Sequence, residues 1–294
     1  MVLGRVIDPL ARGMLRAPGV PAVDFARPAG EAALVGADSV SWRVFRNPVA
    51  LFTGGVAAVL LELAEPAVRA GVWEHSDFRR DPVGRLRRTG MAAMATVYAA
   101  RSVAEAMIAG VKRAHDRVEG VTPAGERYRA NDPALLRWVQ ATAVWGFGSA
   151  YDLFVEPLGE AGLSRLFAEG AAAARLYGVE DPPLSTADWR AALEGMRERL
   201  GPSPVVSEFL ALIRDAPAFP RAMRPAQRLM VRGAVSLLPD WVRERLELGG
   251  EGLRLGEGVL LRALGRAAER VEPPSHPAAA ARRRVSASRA SPGR

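Results

Sequence analysis

Three of the pairs in this 294-residue chain in which proline directly follows an acidic or hydroxyl side chain, Asp81-Pro82, Asp132-Pro133 and Ser203-Pro204, stand at the head of a helix-like pattern. Each pair marks a helix start. The short side chain caps unpaired amides of the first turn, and proline, which lacks an N–H, is preorganised for the first helical position. Pro66 fits the same position. Ser102-Val103-Ala104-Glu105 reads as a capping box, and Ser185-Thr186-Ala187-Asp188 as its acidic variant. Between these markers the chain is rich in Ala, Leu, Arg and Glu, with few β-branched alternations. Helices are therefore expected near 47–63, 66–74, 82–99, 103–118, 133–150, 159–177, 186–200, 204–214, 221–236 and 257–270. Strand signals are scarce, and no repeat of the solenoid type stands out. The pattern implies an all-α fold, one multi-helix domain over residues 41–271 built by helix-on-helix packing.

The flanks read differently. Residues 1–40 carry Pro9, Pro18, Pro21 and Pro28 with little periodicity, and are expected to form an irregular N-terminal arm. Residues 272–294 are Pro, Ala, Ser and Arg, with no large apolar residue after Val285. Such a tail should be disordered, since it buries too little surface to offset ordering entropy. It also holds half of the +8 net charge, through Arg282, Arg283, Arg284, Arg289 and Arg294 against Glu272. The body is thus only mildly basic, which disfavours specific nucleic-acid binding and leaves at most weak membrane-surface contact through the tail. Every basic residue except Lys112 is arginine, a bias assigned to codon composition. Charges interrupt the first twenty residues, so no signal peptide is read, and a cytoplasmic location is expected. The longest uncharged stretch, Asn47–Leu61, has fifteen residues. A spanning helix needs about 18 or more, so this stretch is read as a buried core segment.

Most chemistry is excluded by what is missing. With no cysteine, disulfides, zinc fingers, iron–sulfur centres and thiol nucleophiles are ruled out. Metalloprotease, Walker and nucleophile-elbow motifs are absent, and Gly146-Phe147-Gly148 lies in a helical pattern that follows no strand. Only His75, His115 and His276 could serve as imidazole ligands, and His276 falls in the tail. His115 shares an apolar stripe with Ala104, Ile108, Val111 and Val118. From composition it is either a structural core histidine or a ligand. Arg85, Arg88 and Thr89 share one helical face just before the apolar run Met91–Val97. They form either a solvated basic face or the edge of a site for a cofactor or anion. Gln140 shares a face with Leu136, Val144 and Phe147, so its amide bonds a neighbouring helix or points into a pocket.

Taken together these segments resemble one family. The run His75-Ser76-Asp77-Phe78-Arg79-Arg80-Asp81-Pro82 is followed by Arg85-Leu86-Arg87-Arg88-Thr89 and by His115-Asp116-Arg117-Val118-Glu119-Gly120. Then come Gly125-Glu126-Arg127-Tyr128-Arg129-Ala130-Asn131-Asp132-Pro133, the Leu135-Leu136-Arg137-Trp138-Val139 segment, and Tyr177-Gly178-Val179 before Pro182-Pro183-Leu184. Over about residues 40–215 this order and spacing resembles the MpaB oxygenase and latex-clearing-protein family. The resemblance implies an all-helical fold of the latex-clearing type that holds one haem b between helices. It implies His115 as the proximal iron ligand, with Arg85, Arg88 and Thr89 on the distal side. Arginine stands at 88 where latex-clearing enzymes have lysine, and arginine is a poor ligand and no base. Many members have Gln and His in the segment that reads Glu62-Leu63-Ala64-Glu65-Pro66 here, and His where Gln140 stands. Glu62 and Glu65, at i and i+3, are either an acid/base pair or, more commonly, exposed helix carboxylates. His75 is ranked first as a helix C-terminal cap, then as a proton donor on the substrate side, then as a sixth ligand.

The resemblance implies a haem b-dependent oxygenase or oxidoreductase. It would act with dioxygen, and with an electron donor, on an apolar substrate of unsaturated or lipid-like type. Arg85, Arg88, Thr89 and His75 are the catalytic candidates. His115 and Gln140 are the candidates for holding the cofactor, with His115 on the iron. The alternative is a non-catalytic helical haem- or lipid-binding protein that kept the fold and lost the chemistry.

Overall fold

A computed structural model describes residues 23–289, with side chains to residue 286. After irregular backbone over 23–39 the described chain is thirteen α-helices, one 3-10 turn and one small hairpin, so the fold is all-α. The helices are α1 (Val40–Val44), α2 (Pro48–Ala64), α3 (Pro66–His75), α4 (Pro82–Tyr98) and α5 (Arg101–His115). Strands β1 (Glu119–Val121) and β2 (Arg127–Arg129) pair antiparallel, Glu119 opposite Arg129. Then follow α6 (Pro133–Phe154), α7 (Gly159–Tyr177), α8 (Thr186–Gly195), α9 (Pro204–Asp215), α10 (Arg224–Leu237), α11 (Asp240–Arg245), α12 (Glu257–Glu269) and α13 (Pro277–Arg289).

The proline-marked starts form as local chemistry dictates. Asp81 accepts from Gly84 N at 2.8 Å, Asp132 from Ala134 N at 2.8 Å and Ser203 from Val205 N at 3.2 Å, each ahead of a proline at the first helical position. Ser185 caps α8 through Asp188 N. The box at Ser102 does not form. Ala100 is the cap residue of α5, and the Ser102 amide and hydroxyl both turn to the Glu31 carboxylate of the N-terminal segment.

The uncharged stretch from Asn47 forms most of α2, which is apolar on nearly every face and runs antiparallel to α6 at the centre of the molecule. The two backbones touch where Gly54 meets Gly146, and a Cβ on either glycine would overlap the other's carbonyl. That contact accounts for the glycines at 54 and 146. The remaining helices wrap this seam, and no single helix among the described residues is long and apolar enough to cross a membrane.

One flank expectation is corrected. Residues 277–289 are not disordered but form α13, and Arg284 is only 1% exposed. Its guanidinium donates to the carbonyls of Glu31 and Phe25, both at 2.8 Å, and of Tyr98 at 2.9 Å. Ala278 and Ala281 are wholly buried in the same apolar cluster as Phe25 and Tyr98. His276 also belongs to the fold. Its Nδ1 accepts from Ala278 N at 3.1 Å, its ring stands edge-on to Tyr98, and burial pulls its pKa down to about 4. Arg282 pairs with Glu272, so the tail is not a free basic arm. Residues 1–22 and 290–294 lie outside the described part.

Candidate active site

Along α2 the burial is complete except on one stripe. Leu51, Phe52, Gly55, Val59 and Glu62 recur at three- and four-residue spacing and remain half-buried. Gln140, Ala143, Val144 and Phe147 do the same along α6. Beyond this surface stand α4 and α5, packed on each other. Among the described residues no close-packed seam joins α4 to α2 or α6. Charge links these elements: Arg85 of α4 acts on both Glu62 of α2 and His115 of α5.

Glu62 and Arg85 keep some accessible surface yet are crowded by protein on every side, as expected for groups lining an internal cleft. Burial raises the Glu62 pKa to about 7, against the restraining pull of Arg85 and of the Thr142 hydroxyl, which donates to it at 3.4 Å. Burial likewise lowers the Arg85 pKa. The Arg85 guanidinium donates to the Thr89 hydroxyl, which itself donates to the Arg85 carbonyl at 3.0 Å, so side chain and helix turn brace each other. Arg88 turns the other way, into an ion pair with Asp81 at 3.7 Å.

His115 is the last residue of α5 and is half-buried, with its Nδ1 sealed from water and free of any conventional hydrogen bond. Burial is the largest influence and lowers its pKa. Asn131 pushes back, Arg85 lowers it further, and Asp116 raises it slightly. The imidazole is therefore neutral near pH 7, the form that binds metals.

The structure thus brings Arg85, Glu62 and His115 within electrostatic reach of one another, with Thr89 braced on Arg85 at an exposed position, and separates the other candidates from them. His75 is exposed at the end of α3, hydrogen-bonded at 3.2 Å to the hydroxyl of Tyr128 on β2. Nothing among the described residues links it to Glu62, Arg85 or His115. His75 stands at the helix end, but its ring bonds Tyr128 rather than a terminal carbonyl of α3, and it lies apart from Glu62, Arg85 and His115. Gln140 lies on the cleft stripe and makes no hydrogen bond within the described residues. The pairing of Glu62 with Glu65 is corrected, as is the reading of both as exposed. Glu65 is wholly buried, capping α3 through Val68 N at 2.7 Å and holding Arg199 at 2.6 Å. Sequence reasoning gave Glu62 little weight, since its environment is supplied by Arg85 and Thr142 from distant helices. It gave Asn131 no role, although the residue sits in the quoted motif.

No group of three or more His, Asp or Glu side chains among the described residues is placed to cage a bare ion. A single neutral imidazole beside an apolar-walled cleft is instead the donor set for a metal that brings its own equatorial ligands. The Nδ1, sealed and without a conventional hydrogen bond, fits a histidine that would hold a haem through its other ring nitrogen. Neither the curated proteins nor the solved structures gave a match to the chain. The family model described as ER-bound oxygenase mpaB/B'/rubber oxygenase, catalytic domain, matches residues 42–270, which takes in α2 to α12 and every residue of the cleft. The chain belongs to the mpaB/rubber oxygenase catalytic-domain family.

Proposed function

We propose that this protein is a haem b-dependent oxygenase acting with dioxygen on an apolar substrate of unsaturated or lipid-like type. The observation that carries the reading is the neutral His115 imidazole beside a cleft that also holds Glu62 and Arg85. His115 would hold the iron through Nε2, with Gln140 as an unspent amide on the cleft wall. The haem, when bound, supplies the binding and activation of dioxygen. Arg85, braced by Thr89, sets a fixed positive charge where negative charge develops. Because an arginine does not act as a base, proton movement falls to the Glu62 carboxyl, which exchanges its proton near neutral pH. Phe52, Val59, Val144 and Phe147 keep bulk water out and favour an apolar substrate. Arg88 is engaged by its Asp81 ion pair, and its like charge acts against that of Arg85.

The test is dioxygen uptake by the haem-loaded protein against matched unsaturated and saturated apolar compounds. Uptake stimulated by the unsaturated member is expected. Haem binding with no substrate-dependent uptake from any of them would leave a binding protein and refute the catalytic reading.

A further inference from the structure

The eleven-residue excursion that carries the β1–β2 hairpin, residues 119–129, has a purpose beside His115. After α5 ends at His115 the chain runs out and back along the hairpin, and Ala130 N closes it on Val118 O at 2.9 Å. The next residue but one, Asp132, caps α6. Asn131 is thus held between a strand end and a helix cap, and it returns to the turn that contains His115. Its side-chain NH2 donates to the Lys112 carbonyl at 3.0 Å and to the Asp116 carboxylate at 2.7 Å. A carbonyl and an ionised carboxylate can only accept, so the amide cannot be flipped without opposing acceptor to acceptor. The Asn131 oxygen is therefore fixed on the opposite edge, where it is buried without a conventional partner.

The His115 Nδ1 is buried in the same condition. Asn131 acts on His115 as a hydrogen-bonding neighbour, just beyond the geometry of a formal bond. A neutral imidazole carries one proton. With that proton on Nε2, the Nδ1 lone pair and the Asn131 oxygen would both be buried acceptors without donors. With the proton on Nδ1, each completes the other.

We infer that Asn131 is the positioning residue of His115: its carboxamide oxygen takes the Nδ1 proton as a hydrogen bond, fixing the tautomer and ring so that an unprotonated Nε2 faces the cleft. Asp116 strengthens the arrangement by drawing on the amide NH2, which makes the carboxamide oxygen a better acceptor. A ligand histidine oriented in this way is also a more basic ligand. The inference rests on the reading of His115 as the iron ligand only in what Nε2 is presented to. The tautomer itself exists with or without haem.

The experiment is long-range proton–nitrogen correlation NMR at neutral pH on the full-length haem-free protein with ¹⁵N-labelled histidine. Three histidines, at 75, 115 and 276, make assignment by single substitution direct. Wild type is expected to show His115 as the Nδ1–H tautomer, whereas free histidine in water favours Nε2–H. Asn131→Leu should return it to Nε2–H, and Asp116→Ala should weaken the preference without reversing it. Once haem is added, Asn131→Leu should lower the iron–histidine stretching frequency of the ferrous protein and weaken haem affinity about 10- to 100-fold. A wild-type His115 found as Nε2–H, or an Nδ1–H tautomer unchanged in Asn131→Leu, overturns the inference. If Asn131→Leu does not fold, the wild-type tautomer and the Asp116→Ala spectrum still decide. An Nδ1–H tautomer in a protein that takes up no haem would uphold the positioning role and defeat the haem reading.

Discussion

Glu62 and Glu65 stand three residues apart at the end of α2, and the molecule treats them in opposite ways. Glu65 is sealed and fully engaged, with one oxygen on Val68 N and the other on Arg199. Glu62 faces the cleft with one long contact from Thr142 and a guanidinium that does not bond to it directly. Burial with satisfied hydrogen bonds makes a carboxylate structural. Burial with too few makes it a group whose proton is easily exchanged at neutral pH.

The largest effect that could break this contrast is on turnover. Glu62→Gln keeps the shape and removes the proton carrier, so oxygen-dependent turnover of haem-loaded protein should fall about 10²- to 10⁴-fold. Glu65→Gln should leave turnover per folded molecule within a fewfold of wild type. Equal losses in the two variants, read from the same assay, would erase the distinction.

Stability should show the reverse order. Glu65→Ala removes the cap of α3 and leaves Arg199 with Glu126 alone, at a cost of about 2–4 kcal/mol in chemical denaturation. Glu62→Gln should stabilise the protein above neutral pH. Between the ordinary carboxyl value of 4.5 and about 7 the folded chain keeps a Glu62 proton that the unfolded chain has released. Stability from this group therefore falls as pH rises through that window, by up to about 3 kcal/mol, and is flat beyond it. A urea-denaturation series from pH 4.5 to 8 should show that slope in wild type and lose it in Glu62→Gln.

His276 provides an opposite pH effect of similar size. Its folded pKa of about 4 lies below the ordinary 6.5, so stability is full above 6.5 and is lost as pH falls toward 4. The loss should appear first as protease cleavage around α13, and His276→Gln should shift its pH dependence. Cleavage that ignores pH across this range would mean that His276 does not hold the helix start.

What could be read from the sequence divides along the same line between local and distant partners. The caps at Asp81, Asp132 and Ser203 were legible because each side chain bonds an amide two or three residues away. The box at Ser102 was not, because Glu31 reaches it from 71 residues earlier in the chain. Helix α13 was missed because Arg284 is stabilised by carbonyls 186, 253 and 259 residues distant. The hairpin escaped notice because its strands are only three residues long, with a single buried side chain, Tyr128, between them. At the site, His115, Arg85 and Thr89 could be singled out from helical spacing and resemblance. Glu62 could be seen only as half of a pair, since its helix-end neighbour Glu65 is claimed by Arg199, 134 residues away.

The central claim is that His115 presents a neutral nitrogen to a haem in this cleft. The most direct measurement is the absorption spectrum of purified full-length protein, supplied with haem, before and after dithionite and beside His115→Ala. A Soret band that shifts on reduction in wild type and is lost or displaced in the variant is the predicted result. No band in wild type after haem is supplied, or identical spectra in the two proteins, would contradict it.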